Sequence, residues 1–209
     1  MPRKRESNLP VVHHITPFLT GDIGKGINQQ IKHIPDNDWI CLRDQDTLFL
    51  LPHQGAMVEQ IVYSNPPFDV IGCSTNRLGG TFQLWDGVIS DNPDITHHQK
   101  IALDAQHKYG LELEPVSDGN YLAGLFYLFR KKLWNEIPFE EKSIQFDLLF
   151  CNSLYEKGKT MAIARGLYLL HLYRLGAKNP QRAIQHIIHC QDMHNIGEFP
   201  YLNFGVKNE

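Results

Sequence analysis

The feature that most constrains the fold is a short apolar run, Trp39-Ile40-Cys41-Leu42. It opens out of the turn-like Pro35-Asp36-Asn37-Asp38 and ends in Arg43 and two carboxylates, Asp44 and Asp46. Four apolar residues bounded by turn signals have the length of a buried strand. Paired acids at the end of such a strand lie at the C-terminal edge of a sheet, where open α/β folds bind ligands. Residues i and i+2 of an extended chain share a face, so both carboxylates can address one hard cation. Cations of the Mg²⁺ class take few protein oxygens and fill the remaining positions from substrate phosphates. The pattern points to a metal–diphosphate site. The same spacing at Asp36 and Asp38 precedes the strand and reads as a polar turn. Spacing alone leaves a solvated strand end as the other reading of Asp44 and Asp46.

At 209 residues the chain has enough length for one sizeable core and too little for two independent enzyme domains. A net charge of −3 argues against broad electrostatic capture of nucleic acid. The start carries Arg3-Lys4-Arg5 without a following apolar segment, which reads as a flexible basic arm over 1–10 rather than a signal peptide. No apolar run approaches transmembrane length, so no membrane span is expected. Cys41, Cys73, Cys151 and Cys190 show no CxxC spacing, which suggests reduced core residues and a cytoplasmic protein.

Taken in order, residues 11–18 read as the first strand, stopped by Pro17. Residues 19–28 read as a loop with Gly21, Gly24 and Gly26, leading into a short helix over 27–34. A glycine-bearing turn between strand and helix presents bare N–H groups to anions, and an ordinary βα turn is the alternative. A helix over 52–63 and a buried strand over 68–73 follow. Residues 81–120 are more polar, with a helix from 97 to 109 and an isolated Trp85 that suits either packing or a ring ligand. The apolar, aromatic stretch 121–129 reads as a central strand in which Gly124 allows close backbone approach. A short helix starts at 130. Residues 146–156 form an amphipathic helix with Phe146, Leu149, Phe150 and Leu154 at helical spacing and Asp147 in the first turn. A last strand region covers 160–164 and 166–173, and a further helix covers 180–195.

This order of features resembles a glycosyltransferase of the GT-A fold, close to glycosyltransferase family 2 and to its compact, phage-type members. The matching items run from Val11 to Arg174. They are the first strand with its loop, Asp44-Gln45-Asp46 ending a strand, and the small residues Ala123-Gly124 followed by Arg130 to Trp134. Phe146-Asp147 opening a helix, Glu156-Lys157-Gly158 and a late His171 complete the set. Only about thirty residues separate Val11 from Asp44, less than the family's usual N-terminal part, and Phe-Asp stands where many members have Glu-Asp.

The resemblance implies a single-domain α/β fold. It would be a Rossmann-like GT-A three-layer sandwich around a mixed central sheet, with a shortened N-terminal nucleotide-binding half. The domain would cover 11–178, with a C-terminal helix and tail over 179–209 packed on it. It also implies a hexosyl- or pentosyltransferase that uses Mn²⁺ or Mg²⁺ and a nucleotide-sugar donor, a UDP-sugar first. The acceptor would be a glycan or a hydroxymethylated DNA base. Asp46 would ligate the metal directly, Asp44 would bind it or the ribose, and His171 would complete the site. Asp147 would be the general base of an inverting reaction, or would orient a sugar in a retaining one. Thr16, Pro17, Phe18, Gly26 and Asn28 would form the nucleotide loop. Arg43, Asn76, Arg77 and Arg174 would contact sugar or phosphate. Two other readings remain: a nucleotide-sugar-binding module without turnover, and a metal-dependent nucleotidyltransferase or phosphohydrolase.

Overall fold

A computed structural model describes residues 9–17, 22–78, 82–117, 119–141, 143 and 145–172. Phe18, Arg174, most of the basic arm and the helix expected over 180–195 lie outside the described residues. The elements are β1 (Val12–Ile15), α1 (Ile23–Ile31), β2 (Trp39–Arg43), β3 (Thr47–Leu48), α2 (Gln54–Tyr63), β4 (Val70–Thr75), α3 (Ile95–Tyr109), β5 (Leu113–Pro115), β6 (Phe126–Arg130), α4 (Lys131–Glu136), α5 (Phe146–Glu156) and β7 (Met161–His171). A 3₁₀ turn at Trp85–Gly87 precedes α3.

The strands form one open, mixed seven-stranded sheet in the order β1-β2-β6-β4-β7-β3, with β5 paired to β7 off that path. β1 and β2 are parallel, as are β4 and β7, and β6 runs antiparallel between the two pairs. The C-terminal ends of β1, β2, β4 and β7 therefore meet at one edge. This α/β architecture is compatible with a Rossmann-like fold.

The short β2 run is apolar throughout because both sheet faces are covered. Ile40 and Leu42 pack with Ile27 and Ile31 of α1 and with Phe146, Phe150 and Leu154 of α5. Trp39 and Cys41 face the other way, onto Val58, Ile61 and Val62 of α2. Cys41, Cys73 and Cys151 are buried free thiols. The helix 146–156 has the expected limits, but Leu149 is exposed, and Cys151 takes its place on the buried face.

Three expectations need correction. The helix α1 starts at Ile23, so Gly24 and Gly26 are helical and buried rather than part of a phosphate loop. Gly24 serves packing: a Cβ there would lie 2.0 Å from the Glu140 carbonyl oxygen. The stretch 121–129 is a strand only from Phe126. Upstream, the backbone bonds to side chains instead of a neighbouring strand, through Leu122 O to the Tyr127 hydroxyl and Ala123 N to Gln83 Oε1. The last strand is continuous across Arg165, with its partner register on β4 jumping from Ala164 to Tyr168. Gly166 sits in that bulge, where a Cβ would meet the Gly110 carbonyl oxygen at 2.1 Å.

Gly24→Ala tests the close approach of α1. Helix propensity alone favours Ala by about 1 kcal/mol, whereas overpacking costs roughly 1–3 kcal/mol. The contact with Glu140 makes loss the expected result, read as a lower urea midpoint with unchanged slope. A midpoint above wild type would reject the packing.

Candidate metal centre

Four element ends converge where the parallel strands terminate. β2 delivers Asp44 just past Arg43, and the turn into β3 delivers Asp46 two residues later. Thr47 pairs with His171 in the β3–β7 ladder, and the Leu172 N–H donates to the Asp46 carbonyl at 2.8 Å, which brings the end of β7 against the acids. The ligand atoms of Asp44, Asp46 and His171 all lie within 4.8 Å of one another. A cation held at ~2.1 Å by each ligand allows trans donors about 4.2 Å apart. A small side-chain closure would bring this set onto one ion.

His171 is held from behind. Its backbone N–H donates to Asn76 Oδ1 at 2.7 Å, and its Nδ1 donates to the Arg77 carbonyl at 2.9 Å. A carbonyl accepts only, so Nδ1 carries the proton and Nε2 faces Asp46 Oδ2 at 3.4 Å. Such a backbone partner fixes ring orientation and tautomer in histidine metal ligands.

The three groups act on one another's protonation. Burial, then the charge of Asp46, pushes Asp44 up to about 8, with His171 opposing and Asp147 adding to the rise. Burial pulls the His171 imidazole down. The charge and hydrogen bond of Asp46 outweigh that effect and leave it above its ordinary value. Two carboxylates forced together at a partly open surface are relieved either by a proton or by a metal ion. Two carboxylate oxygens and one imidazole nitrogen form a donor set that can hold a divalent cation.

Asp147, in the first turn of α5, is close enough for its charge to act on Asp44. Its carboxylate accepts from the Gly124 N–H at 3.2 Å and the Leu148 N–H at 2.8 Å. Burial raises its pKa and these backbone donors oppose the rise, leaving it above the usual carboxylate value. Gly124 is required here: a Cβ would lie 2.6 Å from the Phe146 ring and 3.1 Å from Asp147 Cβ. Asp44 N–H bonds to Leu125 O at 3.0 Å, so the segment Gly124-Leu125 ties both acids to one backbone.

Thr16 and Pro17 follow β1 at the same edge, and the Pro17 carbonyl accepts from Gln45 Nε2 at 3.1 Å. Other expected ligand contacts are taken up by the protein itself. Asn28 is buried, donating to Phe139 O at 2.8 Å and accepting from Trp134 Nε1 at 2.7 Å, so it pins α1 to α4. Gly26 is buried inside α1. Arg43 falls on the strand face opposite Asp44, with its guanidinium 4.5 Å from the Phe49 ring centroid. Asn76 and Arg77 are buried behind His171, and Arg77 pairs with Asp91. Sequence reading missed Gln83, a buried side chain that donates to Cys73 O and accepts from Ala123 N. It lies in a polar, non-periodic segment, where nothing local marks it.

The chain matches no protein-family model and no curated protein.

Metal binding at this centre must displace protons from Asp44 and His171, both of which hold them above their ordinary values. Mn²⁺ affinity is therefore expected to climb as pH rises from 6 towards about 8 and then to level off. Calorimetry in buffers of different ionisation enthalpy should show net proton release below that pH. A flat affinity profile with no proton release would remove the assignment.

Proposed function

We propose that the chain is a metal-dependent glycosyltransferase of the GT-A type, moving a sugar from a nucleotide-sugar donor to an acceptor hydroxyl. The observation that carries this reading is the Asp44–Asp46–His171 group at the C-terminal sheet edge, with Asp147 close enough for its charge to act on Asp44. The mixed sheet is compatible with such a fold, and a UDP-sugar is the donor we place first.

A bound divalent cation would supply charge neutralisation for the departing nucleoside diphosphate. Asp44 and Asp46 would hold it by their carboxylates, and His171 by Nε2. The Pro17 carbonyl, just past β1, accepts from Gln45 Nε2, and β1 would close the donor side of the edge. Asp147 would take the proton from the acceptor hydroxyl in an inverting reaction, and a carboxylate raised above its usual range is the better base near neutral pH. In a retaining reaction it would orient a sugar instead. A phosphohydrolase would call for a further carboxylate among the ligands. Among the described residues the converging group contains two carboxylates and a histidine. No helix among the described residues is long and apolar enough to cross a membrane.

Release of nucleoside diphosphate from a panel of UDP-, GDP- and dTDP-sugars with Mn²⁺ is the direct test, and a binding module without turnover would release none. Asp46→Ala should abolish metal-dependent UDP binding while leaving the thermal transition intact. Unchanged calorimetric affinity in that variant would defeat the metal assignment. Asp147→Asn should keep donor binding and lower transfer about 10²-fold or more. Near-wild-type transfer would strike it from the reaction.

A further inference from the structure

Past the end of β4 the chain bends at Asn76, and the Asn76 side chain stands in for a strand. Successive N–H groups of β7 point to alternate sides. The Leu172 N–H goes to Asp46 on the β3 side, so the His171 N–H points to the β4 side, beyond the last β4 pair, Thr75 with Leu169. Asn76 Oδ1 accepts it at 2.7 Å. Arg77, the next residue, offers its carbonyl to Nδ1 of the same histidine at 2.9 Å. Two consecutive residues outside any strand therefore hold both the backbone and the ring of His171.

These two residues are held in turn by the segment that leads into α3. The Ser90 N–H donates to the Asn76 carbonyl at 3.0 Å, and Asn76 Nδ2 donates back to the Ser90 carbonyl at 3.3 Å. Asp91 pairs with the Arg77 guanidinium, which is fully buried, whereas the Asp91 side chain is 53% exposed and open to substitution. The segment is anchored at its far end. The Asn92 carbonyl accepts from His98 Nε2 at 2.7 Å, and its Oδ1 accepts from the Asp94 N–H at 2.9 Å. Asp94 is the N-cap of α3, accepting from the Thr96 N–H at 2.8 Å. Residues 90–94 thus form a strap from α3 to the two supports of His171. A buried arginine deprived of its counter-charge is costly, so loss of Asp91 would drive the Arg77 side chain towards water and displace the carbonyl that holds Nδ1.

We propose that Asn76, Arg77, Ser90 and Asp91 are positioning residues for the metal group: the 90–91 step holds 76–77, and 76–77 aims His171 Nε2 at the ion. This rests on the metal-centre reading above. None of the four is among the converging ligands Asp44, Asp46 and His171. Ligation needs the Nε2 lone pair directed at the cation, and the Nδ1–H bond to a carbonyl fixes both tautomer and ring orientation. A ring released from that bond rotates and exchanges tautomers, and every incompetent state lowers the apparent affinity by its share of the population. Partners that orient a ligating histidine are worth roughly 10–100-fold in metal affinity. A solvent-facing acid thereby sets the strength of a site it does not join.

The test measures Mn²⁺ affinity by calorimetry and reads the metal-free His171 ring by long-range ¹H–¹⁵N correlation at alkaline pH, with His171→Gln assigning its signals. Wild type should bind Mn²⁺ and show the Nδ1–H form. Asp91→Ala should weaken Mn²⁺ binding about tenfold or more and add the Nε2–H form. Asp91→Glu should restore most of both. Asp104→Ala removes the same charge from an exposed position on α3 and should change neither. If Asp91→Ala does not fold with Arg77 left buried, Asn76→Ala strands no charge and carries the same expectation. Affinity within about twofold of wild type in whichever variant folds overturns the proposal and leaves the metal centre standing. Weaker binding with an unchanged Nδ1–H signature, or without recovery in Asp91→Glu, overturns it as well. Wild-type protein that binds no Mn²⁺ overturns the positioning role together with the metal-centre reading.

Discussion

Two carboxylates held against their mutual repulsion are the constraint around which the sheet edge is arranged. Asp44 is fixed by its N–H to Leu125 O, and its carbonyl accepts from Thr47 Oγ1 at 2.7 Å. Asp46 is fixed by its carbonyl to the Leu172 N–H. These bonds hold the backbone of both acids at one edge, where burial first and then the charge of Asp46 raise the Asp44 pKa. His171 converges on both acids and carries positive charge when protonated.

β7 makes this possible. Eleven residues long, it pairs with β4, β5 and β3 in turn, and the bulge after Ala164 lets one strand serve all three partners. Its end carries His171 to the turn after β2. Its bent middle carries Arg165 to Glu114. The core supports both ends, with Ile163 in the α1/α5 layer, Leu167 and Leu169 in the α2 layer, and Tyr168 and Leu170 against α3.

Much of this layout was legible in the chain. Buried strands and helices with strong apolar runs appear where expected: β2 behind its acids, α5 over 146–156, and α3 within two residues. The Asp44, Asp46 and His171 trio is brought together as the motif order suggested. The failures share one physical cause. Glycine and asparagine at 24, 26 and 28 have the composition of a phosphate loop, yet small residues equally allow a helix to touch its neighbour, and Gly24 does so. Asn28 spends its amide on Phe139 and Trp134, partners more than a hundred positions away. Strands of two or three residues, such as β3 and β5, are too short to show a period.

The two Asp-x-Asp sequences show what local pattern leaves undecided. Asp36 and Asp38 are spaced like Asp44 and Asp46, but the protein satisfies each from its own side chains. Asp38 is buried, paired to His13 at 2.9 Å and accepting from the Val11 N–H. Asp36 receives Lys131 Nζ at 3.0 Å and Asn135 Nδ2 at 2.9 Å, which hold its carboxyl below the usual range. The later pair is treated the opposite way: its two carboxylates converge with each other and with a histidine already anchored through Nδ1. One pair clips β1 to β2 and the start of α4, and the other gathers with His171 into a group that can hold a cation. The spacing is the same; what separates a structural clip from a candidate metal centre is which donors the fold places around it.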